Sequence, residues 1–120
     1  MTVKEAITRA DHDRRNDISE TEKVGFLSEL DLKIKNAILD RYEGEPVAFS
    51  PYDVTEDATL LVPEPYTDLY LYWLQSKAAL LDDDIDQYNA WNTLFQQAYD
   101  LFFRHYNATH TRKNSGNFRF

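Results

Sequence analysis

The stretch LYLYWLQSKAALLDDDIDQYNAWNTLFQQAYDLFFRHY, residues 69–106, decides the fold of this chain. Its first half, from Leu69 to Leu81, carries a broad apolar stripe at helical spacing, and its second half, from Ile85 to Tyr106, repeats bulky apolar residues every three or four positions. The acidic run at residues 82–84 ends the first half and suits the positive N-terminal end of the next helix. These patterns predict two helices that pack as a long antiparallel hairpin.

Two further helices are predicted upstream of the hairpin. Residues 3–11 place apolar side chains on one helical face. A second helix over about residues 20–41 starts at a capping box, in which the Ser19 hydroxyl can accept from the backbone N–H of Glu22 and the Glu22 carboxylate can reach back to Ser19. Its apolar stripe consists of Leu27, Leu30, Ile34 and Ile38.

The segment 43–65 has a different character, because all four prolines of the chain lie in it and no helical period survives. It is predicted to be a long loop or a β-arm, in which the β-prone pieces 47–49 and 59–62 could pair. Pro65 is expected in the first turn of the third helix. Because a loop of this length usually has a function, its apolar residues are candidate contacts to a neighbouring subunit. These candidates are Phe49, Tyr52, Leu60, Leu61 and Val62.

The predicted fold is therefore all-α: a small bundle of about four helices with a long C-terminal hairpin, a Pro-rich loop or β-arm, and an extended C-terminal tail. We expect one helical domain over residues 1–110 and a basic tail over 111–120. The charge distribution marks the tail: four cationic residues and no acid follow residue 103, so the net charge of −8 divides into −12 before that point and +4 after it.

Several kinds of chemistry are disfavoured by the inventory of side chains. The chain has no Cys, three scattered His and three Gly that form no phosphate loop. The run from Asp82 to Asp86 lacks the alternating ligands and central Gly of a calcium loop. No stretch is apolar enough for a membrane span, and the N-terminus is no secretory signal. We therefore expect a binding protein with no catalytic residues, no metal site, no cofactor and no membrane contact.

The C-terminal residues are candidate partner contacts in their own right. Phe118 and Phe120 flank Arg119 at a period of two, which suits addition of a strand to the edge of a partner's sheet. The aromatic rings would enter apolar pockets, while Arg112 and Lys113 would meet acidic groups. A terminal segment of this composition is also typical of plain disorder.

Several segments, in order along most of the chain, resemble the small helical head-tail connector (adaptor) proteins of tailed bacteriophages. They are the opening MTVKEAI, residues 27–31 (LSELD), 49–53 (FSPYD), 60–66 (LLVPEPY) and 69–74 (LYLYWL), and the Tyr-Asn pairs at 88–89 and 106–107.

This resemblance implies a structural subunit of the virion neck that assembles in the host cytoplasm. Such subunits form a homo-oligomeric ring, twelvefold by resemblance, below the portal protein. The ring continues the DNA channel, lets DNA pass without specific binding, and receives a stopper or tail-completion protein. By the same resemblance the C-terminal residues would dock on the portal.

Two alternatives remain open at the level of the sequence. The chain could be another tail-assembly component of a virion with the same helical pattern but no contact to the portal. It could also be an acidic regulatory module that imitates DNA and occupies a basic partner. Assembly behaviour distinguishes the three, because only a connector should form rings on a portal.

Overall fold

The computed structural model describes residues 1–113, and helices make up most of this range. The helices are α1 (Val3–Asp13), α2 (Glu20–Ala37), α3 (Asp68–Leu81) and α4 (Ile85–Thr109), and a 3₁₀ turn, Leu39–Arg41, follows α2. Pairing of β type within residues 1–113 is limited to two isolated bridges. The prediction of a mostly helical chain with four helices is confirmed.

Helices α2 and α4 begin where the polar side chains of the sequence predict. The Ser19 hydroxyl accepts from the Glu22 N–H at 3.1 Å, and the Asp84 carboxylate accepts from the Gln87 N–H at 3.1 Å. Each cap satisfies an N–H group that has no partner within its helix. The Glu22 carboxylate accepts from the Ser19 hydroxyl at 3.3 Å, so only the first of the two predicted capping-box bonds has the expected partners.

Helix α3 lies at the centre of the bundle, since it packs against α1, α2 and α4. Its side chains are buried on nearly every side, which is typical of a core helix. The predicted stripe of α2 contributes to the same core, and each of its four side chains is at most 1% exposed. These side chains are Leu27, Leu30, Ile34 and Ile38.

The predicted hairpin of α3 and α4 is present and antiparallel. The Trp73 and Phe95 rings lie 5.1 Å apart between centroids. Nearer the turn, Tyr72 stacks on Trp91 at 6.1 Å. Among residues 1–113, α3 is the one helix against which α4 packs. The side of α4 that faces away from α3 is therefore left uncovered by any other helix of the described chain.

The long loop runs across the bundle without forming the suggested hairpin between residues 47–49 and 59–62. Instead, the Val3 N–H donates to the Ala58 carbonyl at 2.9 Å and the Leu60 N–H donates to the Met1 carbonyl at 3.0 Å. The second β-prone piece, residues 59–62, thus pairs with the N-terminus. The physical reason is its burial: this piece crosses the core, where the free backbone groups within reach are those just before α1.

The start of α3 differs from the sequence prediction. Pro65 was expected in its first turn, but α3 begins at Asp68. Pro65 lies in a preceding turn, in which the Tyr66 N–H donates to the Pro63 carbonyl at 3.0 Å. This turn redirects the chain before the helix starts, which leaves Pro65 outside the helix.

The described chain ends beside residues 41–43, which follow α2 at the end of the 3₁₀ turn. The Glu43 N–H donates to the Thr111 carbonyl at 2.7 Å, and the Lys113 N–H donates to the Arg41 carbonyl at 3.0 Å. The Tyr42 hydroxyl donates to Asn107 of α4 at 2.8 Å. The start of the predicted tail is therefore fixed to the helical body as far as Lys113.

Candidate interaction surfaces

Only some of the residues predicted to form the tail contacts lie within the described range. Arg112 and Lys113 lie within it, and both side chains are exposed. Arg112 forms an antiparallel bridge with Tyr42 through the backbone. Phe118, Arg119 and Phe120 lie outside the described residues, so their role in partner binding stays a prediction.

The predicted loop contacts fall into a buried group and a partly accessible group. Leu60 is 4% exposed and Val62 is fully buried, so both side chains belong to the core of their own subunit. Phe49, Tyr52 and Leu61 are partly exposed. Packing within the subunit thus accounts for the apolar character of Leu60 and Val62, and a contact to a neighbour stays a prediction that concerns the other three.

A buried carboxylate, Asp31, connects the loop to α2 and α3. It is 0% exposed. It accepts hydrogen bonds from the Tyr70 hydroxyl at 2.6 Å, from the Leu61 N–H at 3.0 Å and from the Tyr52 hydroxyl. The Tyr70 hydroxyl in turn accepts from the Val62 N–H at 2.8 Å. The network fixes the loop, because its backbone and side chains bond to one point on α2.

Burial raises the pKa of Asp31 above its ordinary value, and the hydrogen bonds from Tyr52, Tyr70 and Leu61 oppose this rise. Burial also raises the pKa of both tyrosine hydroxyls, so both stay protonated and donate. No cation pairs with Asp31 among residues 1–113. This arrangement suits a structural connection and provides no reactive group at the surface.

Apolar side chains project from the turn between α3 and α4. This hairpin tip, residues 80–86, exposes Leu80 by 43%, Leu81 by 55% and Ile85 by 56%. It also contains four aspartates and no cation. Arg14 pairs with Asp82 at 3.3 Å, and no ion pair within residues 1–113 involves the other three. The hairpin tip is therefore both apolar and negatively charged.

A groove of about 210 Å³ lies between α2 and α4, which both pack on α3. We call it the α2–α4 groove, and its lining residues are Leu30, Lys33, Trp73, Phe95, Gln96 and Tyr99. The ammonium of Lys33 lies 5.3 Å from the centroid of Trp73, and that of Lys77 lies 4.4 Å from it. Glu29 contacts both lysines, at 3.5 and 3.6 Å. The groove thus combines an aromatic floor with cations at its edge.

A second groove, of about 230 Å³, lies on the opposite side of the hairpin between the start of α3 and the middle of α4. We call it the α3–α4 groove. It is lined by Pro65, Tyr66, Asp68, Tyr72, Leu94, Gln97, Ala98 and Leu101. Its charged residue is the exposed Asp68, so this groove is apolar with an acidic edge.

Within residues 1–113 no three side chains of His, Cys, Asp or Glu come together in a way that could hold a metal ion. In the same range, no helix has both the length and the apolar character needed to span a bilayer.

Sequence reasoning missed Asp31 and the hairpin tip, although each left a signal. Asp31 lies four residues after Leu27 and three before Ile34, so it shares the buried face of α2. Leu81 and Ile85 flank the acidic run, where a turn between two helices leaves side chains uncovered. The side chains that line the α2–α4 groove left no such signal in the sequence, because they come together only when α2 and α4 pack on α3.

Comparisons with protein-family models, with curated proteins and with solved structures give no match.

Proposed function

We propose that this protein is a structural head-tail connector subunit of a tailed-phage virion neck, which forms a ring below the portal, continues the DNA channel and docks a stopper or tail protein. Its site of action would be the virion neck, after assembly in the host cytoplasm. The sequence resemblance suggests this class of protein, and the physical features below support it.

The observation that carries the proposal is a face of α4, beside the α3–α4 groove, that no other helix within residues 1–113 covers. This helix has 25 residues, and its buried side chains are Phe95 and Phe102. Leu94 and Leu101, seven residues apart and hence on one face, are 39% and 58% exposed. A long helix that leaves aliphatic side chains in water on one face is typical of a subunit whose partners cover that face.

The charge of the chain supports a position around a DNA conduit. The net charge is −8, and the hairpin tip adds a local concentration of carboxylates. A negatively charged wall repels phosphate, so DNA can slide past it where a basic wall would hold it. This favours passage of DNA over binding of DNA.

The C-terminal residues are the proposed contact to the portal. The described chain ends where residues 111 and 113 bond to residues 43 and 41, and residues 114–120 follow in the sequence. Seven residues would span at most about 25 Å if extended, which is enough to reach a neighbouring protein. Within the proposal, Phe118 and Phe120 provide the apolar anchors, and Arg112, Lys113 and Arg119 provide charge complementarity.

The proposal is tested by native mass measurement of the purified protein with and without a portal ring. We expect a ring of identical subunits on the portal, whatever the state of the free chain, because the portal presents repeated docking sites. Assembly that is indifferent to the portal would instead identify another tail component. A monomer that grips a DNA-binding protein and ignores the portal would identify an acidic module that imitates DNA.

A further inference from the structure

Two surfaces of this chain carry opposite charges beside apolar side chains. The hairpin tip projects, exposes Leu81 and Ile85, and carries aspartates. The α2–α4 groove is concave, has Trp73 and Phe95 at its floor and Lys33 in its lining, and Lys77 lies over the Trp73 ring. Each surface lacks a covering element in the described chain.

We infer that the hairpin tip of one subunit docks in the α2–α4 groove of a second copy. This inference rests on the proposed function and identifies the surface through which the ring would form. Ile85 and Leu81 contact the aromatic floor, while Asp83 and Asp86 meet Lys33 and Lys77.

The charges select this groove over the other one. The incoming aspartates can share Lys33 and Lys77 with Glu29, whose contacts to both lysines are long, at 3.5 and 3.6 Å. The α3–α4 groove presents Asp68 at its edge, so an acidic tip would meet a like charge there. Like charges brought together at an interface oppose binding, which makes the α3–α4 groove the wrong receptor for the tip.

The two surfaces cannot meet within one subunit. Ile85 and Gln96 lie on the same helix, eleven residues apart, which corresponds to about 16 Å at the helical rise. The contact must therefore be between copies. Because tip and groove are different surfaces, the association is head-to-tail, and such contacts close into a ring when the rotation between copies permits.

Disulfide trapping tests this contact, and the absence of Cys from the chain gives a clean background. Ile85→Cys and Gln96→Cys are prepared as separate single variants, mixed, and oxidised mildly. A disulfide needs Cα atoms within about 7 Å, so each linkage reports a close approach. The intensity of the dimer band on a non-reducing gel is compared between the oxidised mixture and each variant oxidised alone. We expect the band of the mixture, which contains the 85–96 dimer, to be at least severalfold stronger than the band of either same-site dimer. Helical circular dichroism checks that both exposed-site variants fold.

Charge exchange provides the second arm of this test. Lys33→Glu should reduce the 85–96 linkage severalfold, and adding Asp86→Lys on the tip partner should restore it. Lys4→Glu, on an exposed lysine of α1, is the matched control and should leave the linkage unchanged.

The inference is overturned if the dimer of Ile85→Cys with Gln96→Cys is no more abundant than the dimer of Lys4→Cys with Gln96→Cys. It is also overturned if same-site dimers dominate. The experiment is repeated on subunits assembled with a portal ring. A ring there without the 85–96 linkage rejects this interface and leaves the proposed function standing. Failure to assemble on the portal rejects the proposed function, whatever the linkage of free subunits.

Discussion

Truncating Trp73 to Ala should destabilise the protein by about 3 to 5 kcal/mol, the range seen for large aromatic side chains removed from a core. Trp73 is 9% exposed, faces Phe95 across the hairpin, and donates from its indole N–H to the Phe26 carbonyl at 2.8 Å. The truncation would leave a cavity between α2, α3 and α4 and would remove the hydrogen bond from the indole to α2. Denaturant titration followed by circular dichroism measures the free energy of unfolding.

Trp91→Ala is the matched control, since it removes the same side chain from a partly exposed position that stacks on Tyr72. Its loss should be clearly smaller. A loss below about 1 kcal/mol at Trp73 would show that this face of the hairpin is not packed as described, because surface substitutions typically stay within such small values.

Replacing Asp31 by Ala should cost about 2 to 4 kcal/mol, because a buried donor deprived of its acceptor costs about 1 to 3 kcal/mol. The Tyr70 hydroxyl and the Leu61 N–H would both lose their acceptor inside the protein. Tyr52 is partly exposed, so water can replace its lost bond. Asp100→Ala, at an exposed position in α4, is the control and should cost little, since exposed ion pairs contribute little.

The pH dependence of Asp31 has a defined sign. Burial raises its pKa above 3.8, so the folded state holds the proton more tightly than the unfolded chain does. The stabilisation from this proton is fully present below pH 3.8 and is lost as the pH rises through the raised pKa. Asp31→Asn has no such proton to lose. The stability of the wild type relative to this variant should therefore fall from acidic to neutral pH, and a rise would contradict the raised pKa.

Much of the fold follows from the sequence by local rules. The sustained three- and four-residue spacing in α3 and α4 predicts the hairpin, and side-chain caps at Ser19 and Asp84 mark helix starts. These features depend on residues close together in the chain. These helices and their starts can therefore be predicted without knowing the tertiary arrangement.

The loop and the surfaces could not be predicted in the same way. The β-prone piece 59–62 pairs with the N-terminus, because its neighbour in space is set by the packing of α1 and not by its neighbours in sequence. The same holds for Asp31, whose tyrosine partners lie 21 and 39 residues away. The α2–α4 groove arises only once α2 and α4 both pack on α3.

The most direct test of the proposed connector is the yield of tailed particles when DNA-filled, portal-bearing heads made without this protein are mixed with tails. We predict that heads alone do not join tails, that added wild-type protein restores joining, and that a variant lacking residues 112–120 folds with nearly unchanged thermal stability but restores nothing. Joining at full yield without the protein would contradict its role as a connector, and joining at full yield with the truncated variant would contradict docking through the C-terminal residues.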